Sequence, residues 1–217
     1  MMLKYYLLAG LLSLSFNTFA QDWQQVKQEQ GIKLYTRLIP NSDYKAFKGT
    51  MRITGSLKMV LALINNAEKC ADWQYRCLEM RVLSDNYIYK LSELPWPLQN
   101  RYTVMKQQAE WSNHQQRYTL NLQNIAREQL PTAIRGQLPN DHDNVQMRHS
   151  DGYWQFDLQP QNIIDITYQM HGDPAGIIPA SLANQGVINA GFETLLNLRR
   201  LCCEIPLTQP SPEGEGF

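Results

Sequence analysis

The sequence predicts an α+β domain in which a curved antiparallel sheet wraps around one long C-terminal helix. Three observations predict it. Segments between Tyr87 and Met170 repeatedly alternate large apolar and polar residues, the period of a half-buried strand. A helical period appears after Ser56 and again, for longer, after Ser181. The stretch "HGDPAGIIPASL" breaks the last strand before that closing helix.

The elements follow in order. "GIKLYTRLI" after Gly31 and "YKAFKGTMRITG" read as two strands, the second with Phe47, Met51 and Ile53 on one face. Ser56 is placed to cap a helix through "SLKMVLALINNAEKCADW", where Leu57, Val60, Leu61, Ile64 and Ala67 share a stripe. In "YIYKLSEL", Tyr87, Tyr89 and Leu91 fall on one side. "LPWPLQNR" then makes a rigid corner, since Pro95 and Pro97 stiffen the chain and remove two backbone donors. Trp96 is expected to bury its ring and pin that corner, and Arg101 to bridge loop and strand.

"RYTVMKQQAEW" and "RYTLNLQNI" follow, the latter with Tyr118, Leu120 and Leu122 on one face. "NVQMRHS" and "YWQFDLQP" come next, with Trp154, Phe156 and Leu158 aligned. "IIDITYQM" aligns Ile164, Ile166, Tyr168 and Met170. The final helix runs from about Ser181 to Cys203, with Val187, Gly191, Leu195, Leu198 and Cys202 near one stripe. Gly186 and Gly191 each cost roughly 1 kcal/mol against alanine in a helix interior. They let another surface come close, either the sheet or a ligand.

The 217 residues bound one domain, or at most two small ones, and support a sizeable core. The boundaries read as a leader at 1–20, a domain at 21–204 and a disordered tail at 205–217. Lys4, the apolar "YYLLAGLLSLSF" and small Thr18 and Ala20 have the form of a signal peptide cut after Ala20. The apolar run falls short of the roughly 20 residues of a spanning helix. Export, to the periplasm, is the expected destination. A net charge of +0 gives no basic excess, so nucleic acid is not an expected partner. A monomer is expected, with transient membrane contact as its other association.

Export permits disulfides among Cys70, Cys77, Cys202 and Cys203. Cys70 and Cys77 are near enough to pair across a helix end; a bridge there and buried thiols both remain open. No C-x-x-C occurs, which leaves no support for a thioredoxin-like or zinc-ribbon motif.

The histidines are His114, His142, His149 and His171. Asp141-His142-Asp143 has the residues to attract a cation, yet its flanking Pro139, Asn140 and Asn144 mark a solvated loop. His171 and Asp173 have the makings of an acid–base pair, or of a turn whose aspartate binds nearby amides. No nucleophile elbow, paired histidine ligands or phosphate-cradling glycine loop stands out, so neither catalysis, a cofactor nor a metal is expected.

Four stretches together resemble the START domains, the steroidogenic-acute-regulatory-protein-related lipid-transfer family. "LPWPLQNRYTV" is similar to the family's Pro-Trp/Phe-Pro-x-x-x-Arg-Asp-x-Val motif, through Pro95, Trp96, Pro97 and Arg101. "GIKLYTR" with "YKAFKG" resembles its first two strands, and "MRHSDGYWQFDLQP" its penultimate hairpin. "ITYQMHGDPAGIIPASLANQG" resembles the strand, turn and helix start of bacterial members, through Asp173, Pro174 and Gly176. The match spans roughly residues 22–200 in the same order.

The resemblance implies a helix-grip fold around a cavity for a lipid or sterol-like molecule. Lining residues are then expected at Tyr89, Met105, Gln107, Tyr118, Leu120, Leu122, Trp154, Phe156 and Tyr168. Val187, Gly191 and Leu195 are the counterparts on the helix. Two positions depart from the family. Tyr102 replaces the motif aspartate, so Arg101 must find another acceptor, a backbone carbonyl or Glu93. Gln107 stands where some members carry a cavity arginine, which offers no charge to a phosphate.

The expected activity is non-covalent binding, with the "GDPAGIIP" turn as a hinge for ligand passage. A hydrolase or cyclase is the rival reading if Tyr168, His171 and Asp173 converge. A filled-core interaction module is the rival if no cavity exists.

Overall fold

The computed structural model describes residues 22–112, 114–139 and 143–204. One ten-stranded sheet dominates. Its strands are β1 (Gln24–Glu29), β2 (Ile32–Leu38), β3 (Lys45–Thr54), β4 (Cys77–Ser84), β5 (Tyr87–Ser92), β6 (Arg101–Ser112), β7 (Arg117–Asn124), β8 (Val145–Gln146), β9 (His149–Gln159) and β10 (Ile163–Asp173). The helices are α1 (Leu57–Ile64), α2 (Cys70–Trp73), α3 (Thr132–Arg135) and α4 (Ala180–Glu204). The strand order is β1-β2-β3-β10-β9-β7-β6-β5-β4, antiparallel throughout, and β8 pairs in parallel with the start of β6.

The expected α+β arrangement, a curved antiparallel sheet closed by one long C-terminal helix, is what the chain forms. Three elements were not legible. β1 is exposed along nearly its whole length and shows no alternation. β4 carries register shifts at both ends, which break the two-residue period. α3 is a single turn, too short for a helical stripe. The helix after Ser56 does begin as expected, with the Ser56 side chain accepting from the Met59 amide. It stops at Asn65, however, and Asn66 turns extended. The predicted single helix is therefore α1, a 3-10 turn and α2.

Two apolar clusters form, one on each face of the sheet. On the concave face, Phe47, Met51 and Ile53 of β3 pack with Trp154 and Phe156 of β9, with Ile164, Ile166 and Tyr168 of β10, and with Phe192, Leu195 and Leu198 of α4. Glycine makes this contact possible from both sides. A Cβ on Gly49 would lie 2.3 Å from Leu195 Cδ1, and one on Gly191 would lie 2.9 Å from the Phe47 ring. Each glycine thus receives a large side chain from the opposite element.

On the convex face a smaller cluster joins Leu83, Tyr89, Tyr102 and Val104 to Leu130, Ile134 and Leu138 around α3. Both faces of β5 and of the first half of β6, residues 101–105, are consequently covered.

Candidate functional site

A pocket of about 390 Å³ runs along α4 between the helix and the open end of the sheet. The helix contributes Leu182, Ala183, Gly186, Val187 and Ala190. Phe47 and Tyr168 form the sheet wall, and Pro95, Leu98, Pro174 and Ile178 form the rim. The walls are mainly apolar, the composition that favours an apolar guest. A second space of about 50 Å³ lies deeper, walled by Ile64, Trp73, Met80, Ile88 and Trp154 among others. Gln74, Lys90 and Tyr168 border both spaces.

Several expected lining residues meet here. Met105, Gln107, Leu120, Leu122, Trp154 and Tyr168 border the deeper space, and Val187 and Tyr168 the larger one. Others lie elsewhere. Leu195 and Gly191 are sealed against Gly49 and Phe47. Phe156 is fully buried in the core, with Tyr118 packed beside it and against Trp111. Tyr89 is a correction, because it points to the convex face, where its ring lies 5.7 Å from that of Tyr102. The alternation of Tyr87, Tyr89 and Leu91 marks a buried face of β5, but it is the face under α3. The pocket face carries Ile88, Lys90 and Ser92.

Lys90 had no signal in the sequence beyond being the polar member of that alternation. Its side chain lines the pocket and is half-buried. Burial pulls its ammonium down to about 8 from 10.5. Burial likewise raises the Tyr168 phenol, which keeps it neutral.

The rim is held by side-chain chemistry. Cys70 and Cys77 are bonded, with their Cα atoms 5.8 Å apart. The bridge staples the loop that brings Gln74, Tyr75 and Arg76 to the pocket, and the Tyr75 amide donates to Thr194 Oγ1 of α4 at 3.2 Å. On the other side, the Lys45 amide donates to Asn184 Oδ1 at 2.8 Å, tying the start of α4 to β3.

Arg101 is buried and donates to the carbonyls of Gln99, Pro174 and Ala175. Backbone carbonyls thus take the place of the missing motif aspartate. Desolvation lowers the pKa of its guanidinium.

Trp96 does not pin the corner. It is 93% exposed, after a chain that turns through a cis Trp96–Pro97 bond. Ile177, in the turn that Arg101 holds, is 99% exposed. Two large apolar side chains therefore project from the two loops that frame the pocket.

Tyr168, His171 and Asp173 do not converge. Tyr168 faces the pocket, whereas strand alternation puts His171 and Asp173 on the opposite face of β10. His171 Nε2 contacts Ser42 Oγ at 3.1 Å and the Tyr44 carbonyl at 3.2 Å. Its pKa is lowered, first by burial and then by His149. Asp173 accepts from the Ala175 amide at 2.8 Å and pairs with Arg148, so it shapes the turn. Among the described residues no group of three His, Cys, Asp or Glu is arranged to hold a metal, and no helix is long and apolar enough to cross a membrane. Asp141, His142, the predicted leader and the predicted tail lie outside the described residues.

No protein-family model matches the chain. An uncharacterized protein of Pseudomonas aeruginosa is 28% identical over 197 residues, covering 89% of this chain and 93% of its own. The crystal structure of a STAR-related lipid transfer protein (fragment 25–204) from Xanthomonas axonopodis superposes with a TM-score of 0.71 at 27% identity, covering 83% of this chain and 98% of that one. Human StAR-related lipid transfer protein 5 also reaches 0.71, at 12% identity, over 87% of this chain and 89% of that one. At that identity the human protein is evidence of the fold alone.

Proposed function

From the premise that this chain is a StAR-related lipid-transfer (START) domain, we propose that it binds one hydrophobic molecule, a lipid or sterol-like compound, in the pocket along α4 and carries it between membranes. The observation that carries this reading is the pocket of about 390 Å³ with mainly apolar walls, a size and lining suited to a small-molecule guest. A filled-core module is disfavoured by that volume. Affinity comes from apolar surface removed from water, at roughly 25 cal/mol per Å².

Binding is non-covalent and without catalysis in this reading, in keeping with the separation of Tyr168 from His171 and Asp173. The exposed Trp96 and Ile177 enter the bilayer interface when the pocket exchanges its guest, since tryptophan favours that depth. The "GDPAGIIP" turn, residues 172–179, is the hinge in this reading. The protein acts as a monomer after export and cleavage behind Ala20; the Cys70–Cys77 bond suits an oxidising compartment.

Native mass spectrometry of the protein purified from its own host, followed by organic extraction, tests the binding. A stoichiometric lipid is the expected result. No co-purifying lipid, together with no uptake from a mixed-lipid extract, ends the reading. The intact mass of the same sample reports whether the chain starts at Gln21. Replacing Trp96 and Ile177 by serine should slow transfer between vesicles while leaving equilibrium binding unchanged.

A further inference from the structure

Lys90 stands at the junction of the two spaces, on the pocket face of β5. Its cross-strand neighbours are Met80 on β4 and Thr103 on β6. Its ammonium makes no hydrogen bond or ion pair with any described residue. An ammonium half-buried in a mainly apolar pocket without a counter-charge is partly desolvated, which favours a guest that supplies the partner. Two nearby polar groups are also unmet. Thr103 Oγ1 and Trp73 Nε1 are both buried and without a protein partner, on residues 2% and 3% exposed, but both are sealed from the pocket space, and Thr103 is not among its lining residues. The Gln107 amide borders the same deep space.

We propose that the guest is a single-chain amphiphile ending in an anion, a long-chain carboxylate, with its head at Lys90 and its chain along α4. This rests on the reading of the pocket as a lipid site and adds the class of lipid. The chemistry selects an acceptor. The Lys90 ammonium is a donor only, and the Gln107 amide on the same wall adds a further N–H donor. A carboxylate has two oxygens to receive them, and its hydrogen bonds to an ammonium are the strong, charge-assisted kind.

The space of about 50 Å³ beside Lys90 accommodates a carboxylate or a few waters. The remaining charged or titratable side chains around the two spaces are Arg76, Glu93, Arg101, Tyr44, Tyr75 and Tyr168. Glu93 is the one acid among them, and it makes no ion pair with Lys90. Arg101 is already committed to carbonyls of its own loops.

Palmitate and hexadecanol share a sixteen-carbon chain and differ in head-group charge. Titration of each into the delipidated protein and its Lys90→Met variant tests the proposal. The wild-type protein should bind palmitate about tenfold or more tightly than hexadecanol at pH 7, as one charge-assisted contact supplies. That preference should fall as pH rises from 7 to 9.5, where palmitate stays ionised and Lys90 loses its proton. Lys90→Met should bind hexadecanol normally and lose the preference.

Equal binding of both amphiphiles by the wild type, or a preference that survives in Lys90→Met, overturns the carboxylate assignment and leaves lipid binding intact. In that case the deep space holds water. Failure of the wild type to bind either amphiphile, or any lipid from a mixed extract, overturns both readings.

Discussion

Arg101 donates through Nε to the carbonyl of Pro174, joining the Pro-Trp-Pro corner to the Asp-Pro-Ala-Gly turn. The two motifs are more than seventy residues apart and form one clamp at the pocket rim. A second bond, from Nη2 to the Ala175 carbonyl at 3.2 Å, fixes the angle between them.

Arg101→Leu should therefore destabilise the fold by roughly 1–3 kcal/mol, since it removes a buried side chain and leaves several part-buried carbonyls without their donor. Arg101→Lys should recover part of that loss, because an ammonium lacks the planar fork that reaches both loops. Urea unfolding gives the magnitudes. Hydrogen exchange at Ala175 and Gly176 should accelerate in both variants; unchanged exchange there would contradict the clamp.

The two glycines of α4 should respond in opposite directions. Gly186 has open space around its missing Cβ, and Gly186→Ala should stabilise by about 0.5–1 kcal/mol through helix propensity. Gly191→Val drives two methyls into the Phe47 ring and should cost about 1–3 kcal/mol. Thermal melting of the pair is the check, and equal shifts would mean that α4 does not seat on β3 in this way.

The Cys70–Cys77 bond closes a short loop, with a sequence separation of 7. Its removal as Cys70→Ser with Cys77→Ser should cost about 2–3 kcal/mol by loop entropy. The loss should appear as a lower midpoint in urea and as faster exchange at the Tyr75 amide, which is hydrogen-bonded to Thr194.

Lys90 makes stability depend on pH in a definite direction. Its folded pKa of about 8 lies below the 10.5 of an ordinary lysine. Below pH 8 both folded and unfolded chains hold the proton, and the folded state carries the cost of a partly desolvated ammonium. Between about 8 and 10.5 only the unfolded chain stays protonated, so stability should rise with pH. Lys90→Met should be more stable than the wild type at pH 7, by roughly 1–3 kcal/mol, and should lack that rise. Urea midpoints at pH 7 and pH 9.5 decide it.

Legibility followed physical exposure. The strands of the sheet centre announce themselves because one face is buried, and Trp154, Phe156, Tyr168 and Met170 all fall where their alternation puts them. β5 shows where that logic ends. Tyr87, Tyr89 and Leu91 do mark a buried face, but α3 covers the convex side, so apolar alternation no longer says which face meets the pocket. Lys90 was hidden by the same ambiguity. Tyr102, which stands in place of the motif aspartate, packs against Tyr89, outside the pocket. Trp96 was expected to be buried, and only the path of the loop shows its ring in solvent.

By itself the sequence determined the architecture of this protein: the periods of its strands, the cap at Ser56, the long closing helix and the two turn motifs are local properties of successive residues. The tertiary structure alone decided which side of each strand faces the pocket, that Arg101 joins the two motifs, that Cys70 pairs with Cys77, and that Lys90 borders both pocket spaces. Those facts depend on contacts between distant segments. Period and propensity act over a few residues, whereas burial and charge pairing are settled only when the sheet curves and α4 closes over it.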